Sequence, residues 1–593
     1  MIDEQPLPDG QGQAGPPVAT TPLVVAGRTR GSGRWLVAGG LTVLLILAVA
    51  GFVVLAGQRT AGAPATAGYL PAGTLVYLDA RLDLPGDQGQ QVADFLSRFP
   101  GLADRAALPA KLDDVLTRLV RSASDGKVDY DSQIKPWFGG RVALALTSGP
   151  TTSGGQAPAE ATSAGALALF SVSDVTAARS DLAAIASAAG ATVGAPGTYR
   201  GATLETLTDG SGGGAVLGLS QDMLIVGPSA EAVKGALDVH SGQGASLAAS
   251  GTFTDALTGL RADRLGTVYV DVPGLTAAAQ RAAGGSPQAS LLASLPQPLG
   301  AVAGELHAES DRLVASFRAA KGPDAPNLSA RTSDLAQHVP AGAIVYLEAH
   351  DAGQLLSQSL GQLSAAAGQG SADDQQLQAL DGYLGFLGGP DALVGWIKDA
   401  GAAVTWGADG QPQAGLVALA TDADTAQARL KQWLGLLSLA GSSSGVSTTQ
   451  EQASGVTITI IHLDAGSGGP AAGAGGAAAL PTELAVAAKG DLIVVGLGDA
   501  FVKQVLALDP AGSLASSERF SAALAAAGGP RDSGLTWIDV NALDQHLAKV
   551  LPAGQRAEFE AQVKPYLDVI DHLIAVQSVD GSTFTGVVQL VTK

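Results

Sequence analysis

The sequence predicts an α+β fold: two tandem related repeats, each a mainly antiparallel sheet with helices on one face, preceded by one transmembrane helix. Three observations predict it. One long segment near the N-terminus carries no charge, short apolar runs alternate with helical patterns, and two stretches of sequence recur at one fixed offset. Antiparallel sheets with helices packed on them belong to the α+β class.

The uncharged segment covers residues 35–56. Three arginines precede it closely: Arg28, Arg30 and Arg34. As a helix it would be about 33 Å long, which matches the roughly 30 Å hydrocarbon core of a bilayer. Because basic residues stay on the cytoplasmic side, we expect a cytoplasmic N-terminus and an extracytoplasmic C-terminal part. The apolar segment is longer than that of a secretory signal, about 7 to 15 residues, so we expect an uncleaved signal anchor in the cell membrane. The alternative is a cleaved signal peptide, with small residues between 61 and 67 as cleavage sites.

The rest of the chain is longer than single cores usually grow, so we expect it to divide. LPAGTLVYLDA at 70–80 recurs as VPAGAIVYLEA at 339–349, and SQDMLIVG at 220–227 recurs within AKGDLIVVG at 488–496, in both cases 269 positions later. A fixed offset of this kind predicts a tandem duplication. The expected segments are a disordered cytoplasmic tail (1–34), the transmembrane helix (35–56), a linker (57–68), exported repeat 1 (69–320), a second linker (321–337) and exported repeat 2 (338–593).

Short apolar runs predict the strands of the first repeat, and longer amphipathic patterns predict its helices. Three of the strands follow one another through connections too short for parallel crossovers, which indicates hairpins. The predicted strands are 75–79, 141–147, 166–171, 202–207, 215–219, 223–226, 267–272, 302–307 and 313–317, and the predicted helices are 90–98, 109–122, 175–188 and 230–239.

Composition excludes several functions. The 593 residues contain no cysteine, which rules out disulfides, thiol catalysis and cysteine metal sites. The formal net charge is -20, so the chain lacks the basic footprint of a nucleic-acid binder. No histidines pair at a metal-binding spacing, and the acids from Asp129 do not continue as a calcium loop. We therefore predict no cofactor, no metal site and no catalytic residues.

Four strands repeat one local pattern, an aromatic residue two positions before an acid. Because side chains alternate along a strand, the ring and the carboxylate share a face. Converging acids could bind a cation or a cationic ligand, or act in acid–base chemistry. The alternative is that each acid caps the turn into the next helix. The four acids are Asp79, Asp271, Glu348 and Asp539.

Trp137 lies in the most distinctive local stretch, DYDSQIKPWFGGRVALAL at 129–146. Its large apolar ring could form a ligand platform, or it could fill the end of a sheet. We keep Trp137 as a binding candidate beside the four acids.

The stretches LPAGTLVYLDARLDLPGDQ, FLSRFPGL and VDYDSQIKPWFGGRVALAL together resemble the bacterial domain-of-unknown-function family 3352. The resemblance is strongest over 70–146 and weaker in the second repeat, where the segment around Trp396 lacks the Lys-Pro-Trp order. It implies an envelope protein with one membrane span and no established activity, and it supplies no catalytic residues.

The sequence thus predicts a single-pass bacterial envelope protein whose duplicated extracytoplasmic domain has a non-catalytic binding or scaffolding role. Its expected partners are the membrane, through residues 35–56, and an envelope protein, glycan or lipid. Two alternatives stay open: an exported hydrolase that uses the strand-end carboxylates, and a carrier of an apolar envelope molecule in a cavity between sheet and helices.

Overall fold

The computed structural model describes residues 65–148, 165–208, 213–284, 297–367, 385, 388–407, 409–441, 446–463 and 483–593. The predicted tail at 1–34 and the predicted transmembrane helix at 35–56 lie outside the described residues. In the described ranges, no helix is both long and apolar enough to cross a membrane.

The N-terminal half, residues 65–321, contains all nine strands that the sequence predicts there, together with two short additional ones. Its strands are β1 (Thr74–Arg81), β2 (Phe138–Thr147), β3 (Gly165–Val172), β4 (Thr192–Val193), β5 (Gly197–Tyr199), β6 (Ala202–Thr208), β7 (Gly214–Leu219), β8 (Met223–Gly227), β9 (Gly266–Asp271), β10 (Leu299–Glu309) and β11 (Arg312–Lys321).

The C-terminal half, residues 331–593, follows a similar plan. Its strands are β12 (Arg331–Thr332), β13 (Val345–His350), β14 (Ile397–Trp406), β15 (Pro412–Ala420), β16 (Val446–Ala453), β17 (Val456–Leu463), β18 (Glu483–Lys489), β19 (Leu492–Leu497), β20 (Arg531–Asp532), β21 (Gly534–Ile538), β22 (Ile570–Asp580) and β23 (Thr583–Thr592).

The helices of the N-terminal half include the four that the sequence predicts, at 88–96, 108–123, 175–188 and 230–240. The described α-helices are Gln88–Leu96, Leu108–Ala123, Tyr130–Gln133, Val175–Ala188, Ala230–His240, Gly251–Leu257, Val272–Ala283, Ala352–Ala367, Pro390–Val394, Ala423–Gly441, Asp499–Leu506, Glu518–Ala526, Val540–Val550, Ala553–Gln562 and Lys564–Leu567.

The strands form one large antiparallel sheet, which confirms that part of the predicted fold class. In the N-terminal half the order is β6-β7-β8-β3-β2-β1-β9-β10-β11, with β4 and β5 also paired to β6. In the C-terminal half it is β17-β18-β19-β15-β14-β13-β21-β22-β23, with β16 also paired to β17. The predicted hairpins β6-β7-β8 are confirmed, and β12 pairs with β20 in a small separate sheet.

The two halves meet where β11 pairs with β23. The register runs from Arg312 opposite Val591 to Ala320 opposite Thr583. Backbone hydrogen bonds extend it at both ends, from the Lys321 amide to the Ser582 carbonyl at 2.8 Å and from the Thr592 amide to the Asp311 carbonyl at 2.8 Å. The last strand of each half therefore joins the two sheets into one.

Helices pack on both faces of this sheet, so the expectation of helices on one face is wrong. We call the face that carries Leu78 and Leu347 face A, and the face that carries Tyr77 and Tyr346 face B. On face B, Tyr77 packs in a core with Phe253 of helix Gly251–Leu257. On face A, β2 and β3 pack in a core with helix Val175–Ala188. The reason is that alternate residues of the central strands are apolar on both sides, which requires cover on both faces.

Both predicted linkers contribute residues to the fold. Thr66 and Ala67, at the end of the predicted linker 57–68, are fully buried. Leu335, in the predicted linker 321–337, is also fully buried, within a short 3-10 helix at Leu335–His338. Thr66 and Ala67 belong to a similar 3-10 helix, Ala65–Tyr69, and each of the two short helices packs against the face-B core of its half.

Candidate functional sites: two apolar grooves and two buried charge clusters

Face A of the N-terminal half holds a groove of about 680 Å³, which we call groove 1. Its floor is formed by β1, β9, β10 and β11, and helix Gln88–Leu96 forms its wall. Most of its lining is aliphatic or aromatic, including Leu78, Val92, Phe95, Val268, Leu306 and Phe317.

Face A of the C-terminal half holds a second groove, groove 2, of about 560 Å³. Its floor includes residues of β13, β14, β15, β19 and β21, and its walls come from helices Ala352–Ala367 and Ala423–Gly441. Its large apolar lining residues include Leu347, Leu355, Leu356, Trp396, Leu416 and Trp433.

The grooves lie on the same face of the sheet and share equivalent strands in part. Groove 1 includes β1 and β9 and extends to β10 and β11, whereas groove 2 includes their counterparts β13 and β21 and extends to β14, β15 and β19. Leu78 of groove 1 lies opposite Val268 in the register of β1 and β9, and Leu347 of groove 2 lies opposite Thr536 in the register of β13 and β21. Both volumes fall in the range of about 300–1,000 Å³ that is usual for small-molecule pockets.

Large apolar side chains stay open to solvent inside both grooves. In groove 2, Leu416 is 56 %, Leu347 43 % and Leu356 43 % exposed, and in groove 1 Val268 is 45 % exposed. Grouped exposed apolar side chains are typical of ligand grooves and interaction surfaces, since each leaves apolar area in water. These grooves are therefore the strongest binding-site candidates in the described residues.

On face B, close to groove 2, four ionisable side chains form a buried cluster: Glu348, His350, Asp399 and Asp532. All four are at most 6 % exposed. Nδ1 of His350 lies 2.9 Å from Oδ1 of Asp399, and its Nε2 lies 3.5 Å from Asp532 and 3.8 Å from Glu348. Arg331 forms an ion pair with Asp399.

The surroundings raise the pKa values of both Glu348 and His350. Burial raises the pKa of Glu348, although the hydrogen bond from Tyr346 opposes the shift. Burial lowers the pKa of His350, but the hydrogen bond with Asp399 and the nearby carboxylates of Asp532 and Glu348 outweigh burial and raise it to about 9. The surrounding carboxylates therefore favour the protonated form of His350.

The corresponding cluster in the N-terminal half carries the opposite sign of charge. Arg81 lies opposite Arg141 in the β1–β2 register, just as His350 lies opposite Asp399 in the β13–β14 register. Arg264 precedes β9 by two residues, as Asp532 precedes β21. One acid and three arginines, Asp79, Arg81, Arg141 and Arg264, thus take the places of Glu348, His350, Asp399 and Asp532.

Asp79 neutralises part of this positive cluster. Its carboxylate accepts a hydrogen bond of 2.9 Å from Thr66 Oγ1 and lies 3.3 Å from Nε of Arg141. Burial raises the pKa of Asp79, and the charge of Arg141 opposes the shift. Burial also lowers the pKa of Arg264, which donates a 2.7 Å hydrogen bond to Thr267.

The structure does not bring the four predicted acids together. Asp79 and Glu348 lie seven strands apart in the sheet, about 34 Å along it at about 4.8 Å per strand. Charges couple strongly only within about 4–6 Å. Asp79 and Glu348 belong to the two separate buried clusters.

The other two predicted acids cap helices. Asp271 accepts a 3.0 Å hydrogen bond from the Gly274 amide, and Asp539 accepts a 2.8 Å bond from the Ala542 amide. Asp539 also forms an ion pair with Arg519. Both carboxylates therefore have a local structural role at the start of the helix that follows their strand.

Trp137 is 3 % exposed and packs in the face-A core beside helix Val175–Ala188. Its Nε1 donates a 2.7 Å hydrogen bond to the Gln133 carbonyl. This burial places the ring among core residues and leaves it little surface for a ligand. In the described ranges, no group of three or more His or carboxylate side chains is arranged to hold a metal ion.

Sequence reasoning raised a cavity between sheet and helices only as an alternative, and it located neither groove nor the partners of the two buried acids. The grooves arise from the packing of distant helices on the sheet, which no local pattern reveals. One signal was available: β1 carries Leu78 between Tyr77 and Asp79, and β13 carries Leu347 between Tyr346 and Glu348. Such a strand presents a leucine on the face opposite its acid, and that leucine lines the groove.

Fold and site together define an α+β protein with one antiparallel sheet and two apolar grooves. The chain belongs to the DUF3352 family, described as a protein of unknown function, whose model matches residues 36–588. No curated protein matches the sequence.

Solved structures give two similar chains, crystal forms IV and III of TP0453. They are 13 % and 12 % identical to this chain, and the matches cover 43 % and 45 % of this chain and 79 % and 88 % of theirs. Their TM-scores of 0.22 and 0.23 are too low to support an argument about this fold or its function.

We expect the stability of the protein to depend on the protonation of His350. Because the pKa of His350 in the folded protein, about 9, exceeds the ordinary value of 6.5, its contribution is complete below pH about 6.5 and is lost as the pH rises through about 9. The stability difference between the native chain and His350→Gln should therefore shrink over this range, by at most about 3 kcal/mol, in thermal unfolding. His462→Gln on β17 is the matched control, and a His350→Gln difference that stays constant with pH contradicts the account.

Proposed function

We propose that this protein binds an apolar ligand, a lipid of the cell envelope, in grooves 1 and 2, without catalysing a reaction. The observation that carries the proposal is that each half has a predominantly apolar groove on face A beside its equivalent strand, β1 or β13, with solvent-exposed leucine or valine side chains in each. Covering apolar surface is favourable by about 25 cal/mol per Å². An acyl chain supplies such cover without requiring polar partners.

The charge clusters support binding rather than catalysis. A hydrolase that uses carboxylates needs them to reach a substrate bond, and the carboxylates around His350, like that of Asp79, are buried. The carboxylates of Asp79 and Glu348 are at most 1 % exposed and engaged with neighbouring side chains. Their burial suits a role in fixing the sheet beneath the grooves.

The proposal includes the location of the protein and the origin of its two halves. We infer that residues 35–56 anchor the chain in the cell membrane with residues 1–34 in the cytoplasm, and that the two halves arose by the tandem duplication. The corresponding strand orders support the duplication. The uncharged segment and the preceding arginines support the anchor.

Binding in groove 2 should depend on Leu416. We expect Leu416→Glu to remove one of two binding sites for palmitate, because a buried carboxylate beside an acyl chain is strongly unfavourable. The measurement is the number of palmitate molecules bound per full-length chain, held in an amphipathic polymer. The matched control is Leu497→Glu, since Leu497 is 53 % exposed on the neighbouring strand β19 and does not line the groove. Loss of palmitate from both variants alike, or from neither, argues against the groove, and no binding to the native chain refutes the proposed function.

A reporter fused after Lys593 tests the topology. We expect an enzyme that is active only outside the cytoplasm to be active at this position, and a reporter at the N-terminus to be active only in the cytoplasm. A cytoplasmic C-terminus would contradict the proposed location. Release of the C-terminal part from the membrane in intact cells would instead indicate the cleaved signal peptide.

A further inference from the structure

The two grooves lie on one face of one sheet with a short interval between them. The β11 residues Ala315 and Phe317 line groove 1, and Gln577 of β22 lines groove 2. Among the strands between β1 and β13, only β23 contributes to neither groove. The interval is therefore about two inter-strand spacings, or about 10 Å.

A row of uncharged side chains crosses this interval without a break. Directly opposite residues of antiparallel strands lie on the same face, so the registers define the row strand by strand. From β1 to β13 it consists of Ala80, Gly266, Leu306, Ala315, Val588, Ala575, Thr536 and Leu347. Its first four residues line groove 1 and its last two line groove 2.

The adjacent row of side chains, which contains Phe317, leaves less space for a ligand because the Phe317 ring occupies it. A methyl group added to Gly586 would lie 2.0 Å from Cζ of Phe317, so the ring lies directly against the backbone of β23. In the continuous row the residues at this point are Val588 and Ala575, which are half-buried and therefore reachable by solvent. The path over Ala315, Val588 and Ala575 is thus apolar and lined mainly by small side chains.

We propose that grooves 1 and 2 are the two ends of one trough and that its ligand is a single long-chain lipid that occupies both. This inference rests on the proposed function and adds the class of ligand. The trough from β1 to β13 is about 34 Å long, which matches an extended apolar chain longer than a common fatty acid. One molecule that fills both ends loses its translational freedom once, whereas two short ones lose it twice.

The test compares two probes on the full-length chain in an amphipathic polymer: palmitate, and hexadecyl palmitate, which is about twice as long. We expect two palmitates per native chain but one hexadecyl palmitate, which displaces both. Ala575→Trp places a large ring in the middle of the trough. It should leave the binding of two palmitates unchanged and weaken hexadecyl palmitate at least tenfold.

The control is Thr585→Trp, on β23 but on face B, which should change neither probe. Three results would each overturn the single-trough proposal while leaving lipid binding intact. They are two hexadecyl palmitates per chain, displacement of only one palmitate, and normal binding of the long probe by Ala575→Trp. Failure of both probes to bind the native chain would overturn the proposed function itself. Circular dichroism confirms that each variant is folded before binding is measured.

Discussion

The pairing of β11 with β23 is the constraint on which the rest of the structure depends. Each half contains its own face-B core. The pairing joins the halves edge to edge, and its register fixes the face on which each side chain of β11 and β23 lies. Both grooves therefore open on the same face, and the apolar row between them is continuous.

The buried charge clusters show how one backbone arrangement tolerates opposite charges. In the N-terminal half the cluster is rich in arginine and includes Asp79, and in the C-terminal half it is rich in carboxylates and includes His350 and Arg331. Buried charges are costly unless they are paired, so each half needs counter-charges within the same cluster. The C-terminal cluster obtains Arg331 from β12, the first strand of that half, which links the start of the half to the cluster.

Local patterns in the sequence were sufficient for the strands, the hairpins and the helix caps. The alternation in β1 and β13 is strong, and the short connections of β6-β7-β8 allow only antiparallel pairing. Asp271 and Asp539 could be recognised as caps from the residues that follow them. These features depend on neighbouring residues, for which sequence reasoning is adequate.

Features formed by residues distant in the chain could not be predicted. The β11–β23 pairing joins residues about 270 positions apart, and no local sequence pattern in either strand identifies the strand with which it pairs. Helices on both faces were missed because the predicted sheet was treated as covered on one side. The partners of Asp79 and Glu348 come from other strands and from the segments before β1 and β13, so their role as buried cluster members needed the fold.

An engineered disulfide between β11 and β23 tests the account most directly. The chain has no native cysteine, so no other thiol can compete. Ser316 lies directly opposite Val587, whereas Val591 lies opposite Arg312, about 13 Å further along the strand. The account predicts that Ser316→Cys with Val587→Cys forms an intramolecular disulfide in the folded full-length chain, and that Ser316→Cys with Val591→Cys does not, because disulfides need Cα atoms within about 7 Å. A folded Ser316→Cys, Val587→Cys chain that stays reduced under oxidising conditions would contradict the single continuous sheet.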